Sequence, residues 1–73
     1  MFEKFEEIFW MVGERYNVNE WYEIFDSELF DEVIEEIARV NGLKWSEDDD
    51  VFDLVDDNVE GFADWYHEMA EDL

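Results

Sequence analysis

Few side chains in this sequence could do covalent chemistry. The aliphatic hydroxyls are Ser27 and Ser46, the imidazole is His67, and cysteine and threonine are absent. A nucleophile needs a base to activate it and a third group to orient that base. Both serines stand where a helix would begin, where a serine hydroxyl ordinarily accepts a bond from a free backbone N–H. Carboxylates present the opposite situation, with 24 Asp and Glu in 73 residues. Acid–base pairs can be drawn almost anywhere among them, so no pair is singled out. The expectation is a protein that is not an enzyme and holds no cofactor.

Metal binding is the next chemistry to weigh. Hard cations take oxygen ligands, and the densest acidic run is Asp48-Asp49-Asp50 with Asp53, Asp56 and Asp57. An EF-hand loop needs glycine at its sixth position and glutamate at its twelfth. Counted from Asp48, those positions hold Asp53 and Val59, so the motif fails. His67 has Asp64, Glu68 and Glu71 within helical reach, but a single imidazole without cysteine makes no zinc framework. Weak, delocalised cation binding is expected in place of a dedicated metal site. Gly13, Gly42 and Gly61 stand alone and form no nucleotide-binding pattern.

The elements that position these groups follow from helical periodicity. Phe2, Phe5, Phe9, Val12 and Tyr16 make one apolar stripe, with Glu3, Glu6, Glu7 and Glu14 opposite. Gly13 is expected to weaken the last turn, and Asn17 to Asn19 read as a break. Asn19 is a candidate cap for a short turn over Glu20–Phe25. Asp26 or Ser27 then caps the clearest helix, with Leu29, Phe30, Val33, Ile34, Ile37 and Val40 on one side, ended by Asn41-Gly42. Leu43-Lys44-Trp45 reads as a connector or a short extended piece. Ser46 with Asp49 fits a capping box ahead of a short helix that turns Val51, Phe52, Leu54 and Val55 inward. Val59, Phe62, Tyr66, Met69 and Leu73 form the last stripe, opposed by Glu60, Asp64, Glu68 and Glu71. The fold class is all-α: one domain over residues 1–73, a small helical bundle of three main helices plus one or two short ones.

Charge is the informative feature. Against the 24 acids stand four Lys or Arg, a net −20, where small soluble domains commonly carry about 2–8 in magnitude. Self-repulsion of this size opposes a compact state. Acidic disordered segments are poor in aromatics, whereas this chain has 4 Trp, 3 Tyr and 7 Phe and no proline. It reads as a folded domain whose large rings offset the repulsion. Like charges argue against direct binding to nucleic acid or to anionic membranes. No apolar run nears the roughly 20 residues of a membrane span, and no signal peptide is expected.

Each helix presents an acidic outer face. A duplex carries one charge per about 1.7 Å of axis, and a rigid domain of this length reaches a comparable count over its own width. Such a surface offers a DNA-binding protein what a phosphate backbone offers. The residues expected to meet the partner are Asp49, Asp50, Asp53, Asp56, Asp57 and Glu60, with Glu28, Asp31, Glu32 and Glu35 as a second strip. Trp10, on the acidic side of its helix, and Trp45, beside the acidic run, are candidate apolar anchors. Trp10 has a second reading, as a cover for the Trp21–Phe25 segment.

Short, strongly acidic, aromatic-rich, cysteine-free and helical, with acidic runs such as Asp48–Asp57, the chain resembles the DNA-mimic inhibitors of phages and mobile elements, the anti-restriction and anti-CRISPR proteins. The resemblance lies in the overall profile and in no motif. It implies a viral protein that occupies the basic nucleic-acid channel of a host defence or DNA-processing protein in the host cytoplasm. The alternatives are an acidic, antitoxin-like module that neutralises a basic partner without copying DNA, a salt-adapted halophilic domain, and a divalent-cation buffer. Aromatics outside the main stripes also allow a homodimer.

Overall fold

The computed structural model describes residues 2–72. Among them it has five helices and no strand: α1 Glu3–Arg15, α2 Trp21–Phe25, α3 Leu29–Val40, α4 Val51–Asn58 and α5 Phe62–Glu71. Three helices are long and two short. Helix α3 lies at the centre, packing on α1, α2 and α4, while α5 packs on α4 and meets α1 where Trp65 reaches Phe5 and Phe9.

The predicted stripes supply the core. Phe5, Phe9 and Val12 of α1 are buried, as are Val33, Ile34 and Ile37 of α3, Val55 of α4 and Phe62 of α5. Stripe ends run past their packing partners: Val40 is 62% exposed and Tyr16 is 46% exposed. Leu73 lies outside the described residues. Val59 is buried but sits in extended backbone after α4, outside α5.

The core centres on Trp65, which is 1% exposed. Its ring stacks on Phe5 at 5.4 Å and meets Phe9 edge-on at 6.0 Å. Tyr66, expected in the stripe, is half-buried and packs on Phe25, Phe30 and Phe52. All seven phenylalanines take part in such ring pairs. Each such pair adds about 0.5–1.5 kcal/mol beyond the burial of its rings. This is how so short a chain holds together against its own charge.

Local signals set the helix ends. Both α1 and α3 close in Schellman motifs. Val18 N–H donates to Gly13 C=O at 2.8 Å and Asn17 N–H to Glu14 C=O at 3.1 Å, with Asn17 left-handed at φ 59°. The matching pair after α3 is Leu43 to Ala38 at 2.9 Å and Gly42 to Arg39 at 3.1 Å, with Gly42 at φ 74°. Gly13 does more than loosen a turn: a Cβ there would stand 2.6 Å from Ile24 Cδ1, so the bare backbone is what lets α2 lie against α1.

Three capping expectations need correction. Glu20, not Asn19, holds the position ahead of α2, and no side chain caps that helix. Glu28, neither Asp26 nor Ser27, holds the position ahead of α3, and its side chain makes no capping bond; Ser27, one residue earlier, accepts at Oγ from Leu29 N–H at 3.2 Å and donates to Ile24 C=O at 3.0 Å. The Ser46–Asp49 pair closes a turn, with Asp49 accepting from Ser46 N–H at 2.9 Å. Asp50 is the cap of α4, accepting from Phe52 N–H at 3.0 Å. Leu43 and Trp45 lie half-buried against the core without regular structure.

Candidate functional site

No carboxylate is buried among the described residues. The apolar stripes face inward, so the acidic faces between them become the molecular surface, over a body of 29 × 23 × 18 Å.

The first strip runs along α4. Asp49, Asp50, Asp53, Asp56, Asp57 and Glu60 are all exposed. Asp50 places its charge at the positive end of the helix dipole, where it is favourable. Asp56 and Asp57 occupy the last turn, with no basic residue beside them, and there the dipole disfavours them. Asp53 reports the local potential. Its carboxyl is held above its ordinary pKa of 3.8, chiefly by the charge of Asp50, then by desolvation and a side-chain hydrogen bond with Asp50, then by the charges of Asp57 and Asp56. These groups repel one another in the free protein, and an arriving cation relieves that repulsion.

The second strip divides. Glu28 and Asp31 are exposed, while Glu32 and Glu35 are half-buried. Asp31 and Glu35 face Asp49 and Asp50 across a groove of about 280 Å³ floored by Ile34, Val51 and Phe52. Two carboxylates of each predicted strip therefore line one groove, and the other six lie outside it. Glu32 turns the other way, toward α1, and accepts a hydrogen bond from the Tyr16 hydroxyl. That bond, foremost among its causes, holds Tyr16 above its usual pKa of 10.0. Beside it Arg15 approaches Glu36 at 3.8 Å and Arg39 pairs with the same carboxylate. Two of the four basic residues thus gather on this side of α3. The α4 side keeps its charge uncompensated, and the α1 side of α3 is partly neutralised.

Of the two proposed anchors, Trp10 is 41% exposed, next to Met11 at 40%. It lies among Glu3, Glu6, Glu7 and Glu14 in a shallow hollow of about 500 Å³. It also borders a narrower cleft with Trp21, which places it beside the Trp21–Phe25 segment. Trp45 is half-buried on the core and less available to a partner. Sequence reasoning missed the narrower cleft. The signal was present in Trp65 and Met69, four residues apart and so on one face of α5, but their pairing with Trp10 and Trp21 is a product of tertiary packing.

The remaining chemistry-bearing groups are engaged locally or stand apart. Ser46 Oγ donates to Asp49 at 3.3 Å, and Ser27 bonds the backbone as described. His67 is exposed, edge-on to Tyr66 at 6.0 Å. Among the described residues, no three His, Asp or Glu side chains converge in a geometry to hold a metal ion. No helix among them is long and apolar enough to cross a membrane. Compared with protein-family models, with curated proteins and with solved structures, the chain matches none.

Proposed function

We propose that the protein mimics DNA: it binds the basic nucleic-acid site of a host defence or DNA-processing protein and inhibits it by exclusion. The observation that carries this reading is charge density on a stiff support. The body is 29 Å in its longest dimension, and duplex of that length presents about 17 phosphates. The chain carries a net −20, displayed on helices whose packing fixes the spacing. Placement adds support. Asp56 and Asp57 stand in the last turn of α4, and Glu68 and Glu71 in that of α5, with no basic residue in either. Stability alone favours Lys or Arg at those positions, and a role in meeting a cationic partner accounts for the acids there.

Recognition would run through charge-assisted hydrogen bonds from partner Arg and Lys to the α3–α4 groove and the exposed α4 carboxylates. Association would be fast and steered at low salt. The partner would be a basic protein, with no direct nucleic-acid or membrane contact by this chain, and the meeting place would be the host cytoplasm.

Competition tests the reading. A basic DNA-binding partner held on the immobilised chain should be released by duplex DNA, and its affinity should fall steeply between about 50 and 500 mM salt. A ternary complex of chain, partner and DNA, or affinity unchanged over that range, contradicts it.

A further inference from the structure

A cleft of about 160 Å³ opens between α1, α2 and α5. Trp10, Trp21, Trp65 and Met69 form its apolar walls, and the carboxylates of Glu6 and Asp72 stand at it. Through Glu6 and Trp10 it continues into the larger hollow on the outer face of α1, where Glu3, Glu7 and Glu14 add further negative charge. Trp65 keeps its indole Nε1–H buried with no acceptor among the described residues.

We infer that this cleft receives an arginine side chain of the basic partner. The inference rests on the mimic reading and adds how such a partner is gripped. Aromatic faces together with carboxylates are the environment a guanidinium prefers: it is planar, weakly hydrated, stacks on indole rings and bonds carboxylates in a fixed fork. The methylene stem lies along Met69 and the tryptophans, while the head group meets Glu6 and Asp72. Lysine, a compact and strongly hydrated charge, gains less from the same walls. A second copy of the chain is disfavoured as occupant, because each copy brings a net −20. Phosphate offers no such indole walls, so at this point the protein adds to what DNA itself presents.

The test uses the full chain and two peptides of equal length and charge, one with four arginines and one with four lysines, spaced by glycine and serine. Three of the chain's four tryptophans line the cleft, so indole fluorescence follows occupancy, with calorimetry as a second readout. The arginine peptide should bind about two- to five-fold more tightly in 150 mM salt, the factor one exposed cation–π contact provides. In Trp10→Ala, an exposed position compatible with folding, the ratio should fall to about one while lysine-peptide affinity holds. Glu6→Gln should weaken the arginine peptide more than the lysine peptide. Equal affinities for the two peptides, or a ratio that survives Trp10→Ala, overturns the inference. So does a homodimer that Trp10→Ala dissociates. If both peptides bind with steep salt dependence but equally, the arginine cleft falls and the mimic reading stands. If neither binds in 50 mM salt, both fall.

Discussion

Two substitutions at Trp65 separate the value of its ring from the cost of its unpaired N–H. A stability of about 0.05–0.15 kcal/mol per residue gives a chain of this length about 4–11 kcal/mol. Repulsion among its carboxylates pushes it toward the lower end in dilute buffer. Trp65→Ala empties the centre of the aromatic cluster, where Phe5, Phe9, Phe30 and Phe62 all touch the indole. Such truncations cost about 3–5 kcal/mol. For a domain of this size, each kcal/mol moves the midpoint by about 4–8 °C, so the variant should melt at least about 12 °C lower and unfold in dilute buffer. Trp65→Phe keeps a ring against Phe5 and Phe9. It loses about 40 Å³ of filled volume, worth about 1 kcal/mol at 24 cal/mol per Å³. It also removes a buried donor without an acceptor, a group whose desolvation costs about 1–3 kcal/mol. The two effects offset, and Trp65→Phe should fall within about 2 kcal/mol of the parent. The assay is helical circular dichroism on heating, in 20 mM and 500 mM salt. Salt should raise all three midpoints and restore a folded baseline to Trp65→Ala. A Trp65→Phe variant as unstable as Trp65→Ala refutes the assignment of Nε1–H as unpaired.

Protonation of Asp53 should favour the folded state, in the direction opposite to ordinary acid denaturation. Asp53 binds its proton more tightly when folded than its ordinary 3.8 implies, so stability rises as pH falls through the raised value and the gain is complete below 3.8; urea midpoints at pH 7 and 4.5 should show this, and Asp53→Asn should flatten the trend. Tyr16 acts at the other extreme: its bond to Glu32 is fully present below pH 10.0 and lost as pH climbs through the raised value, so Tyr16→Phe should remove that alkaline loss from a pH series of melts. Gly13→Ala should lower the melting midpoint despite alanine's better helix propensity, because the added Cβ meets Ile24 Cδ1 at 2.6 Å and Val18 C=O at 3.1 Å. Adding Ile24→Val, which removes Cδ1, should recover part of that loss. Neutralising Asp53, Asp56 and Asp57 together should weaken binding of an octalysine peptide and shallow its salt dependence, whereas Glu32→Gln with Glu36→Gln should change both less, since those two groups already have Tyr16, Arg15 and Arg39.

The core of α3 was readable from spacing because Val33, Ile34 and Ile37 sit on one face and Asn41-Gly42 ends the helix in the left-handed geometry that glycine permits. Trp65 and Tyr66 were not separable in the same way. Adjacent helical residues lie about 100° apart, so either ring can point inward, and the position of α1 decides between them. The expected Ser46 cap gave way to Asp50 for a similar reason: an aspartate caps as well as a serine, and Ser46 closes a turn of its own with Asp49. Outward-facing carboxylates were legible because they fall opposite the apolar stripes of their helices. The meeting of Asp31 and Glu35 with Asp49 and Asp50 depends on how α3 and α4 pack, which periodicity along one helix does not encode.

The most direct measurement takes a basic partner captured by the chain and replaces the arginines and lysines with which it holds DNA. If the acidic surface stands in for a phosphate backbone, each replacement weakens the chain and the duplex together, in the same rank order. A partner that loses DNA yet keeps full affinity for the chain contradicts the account.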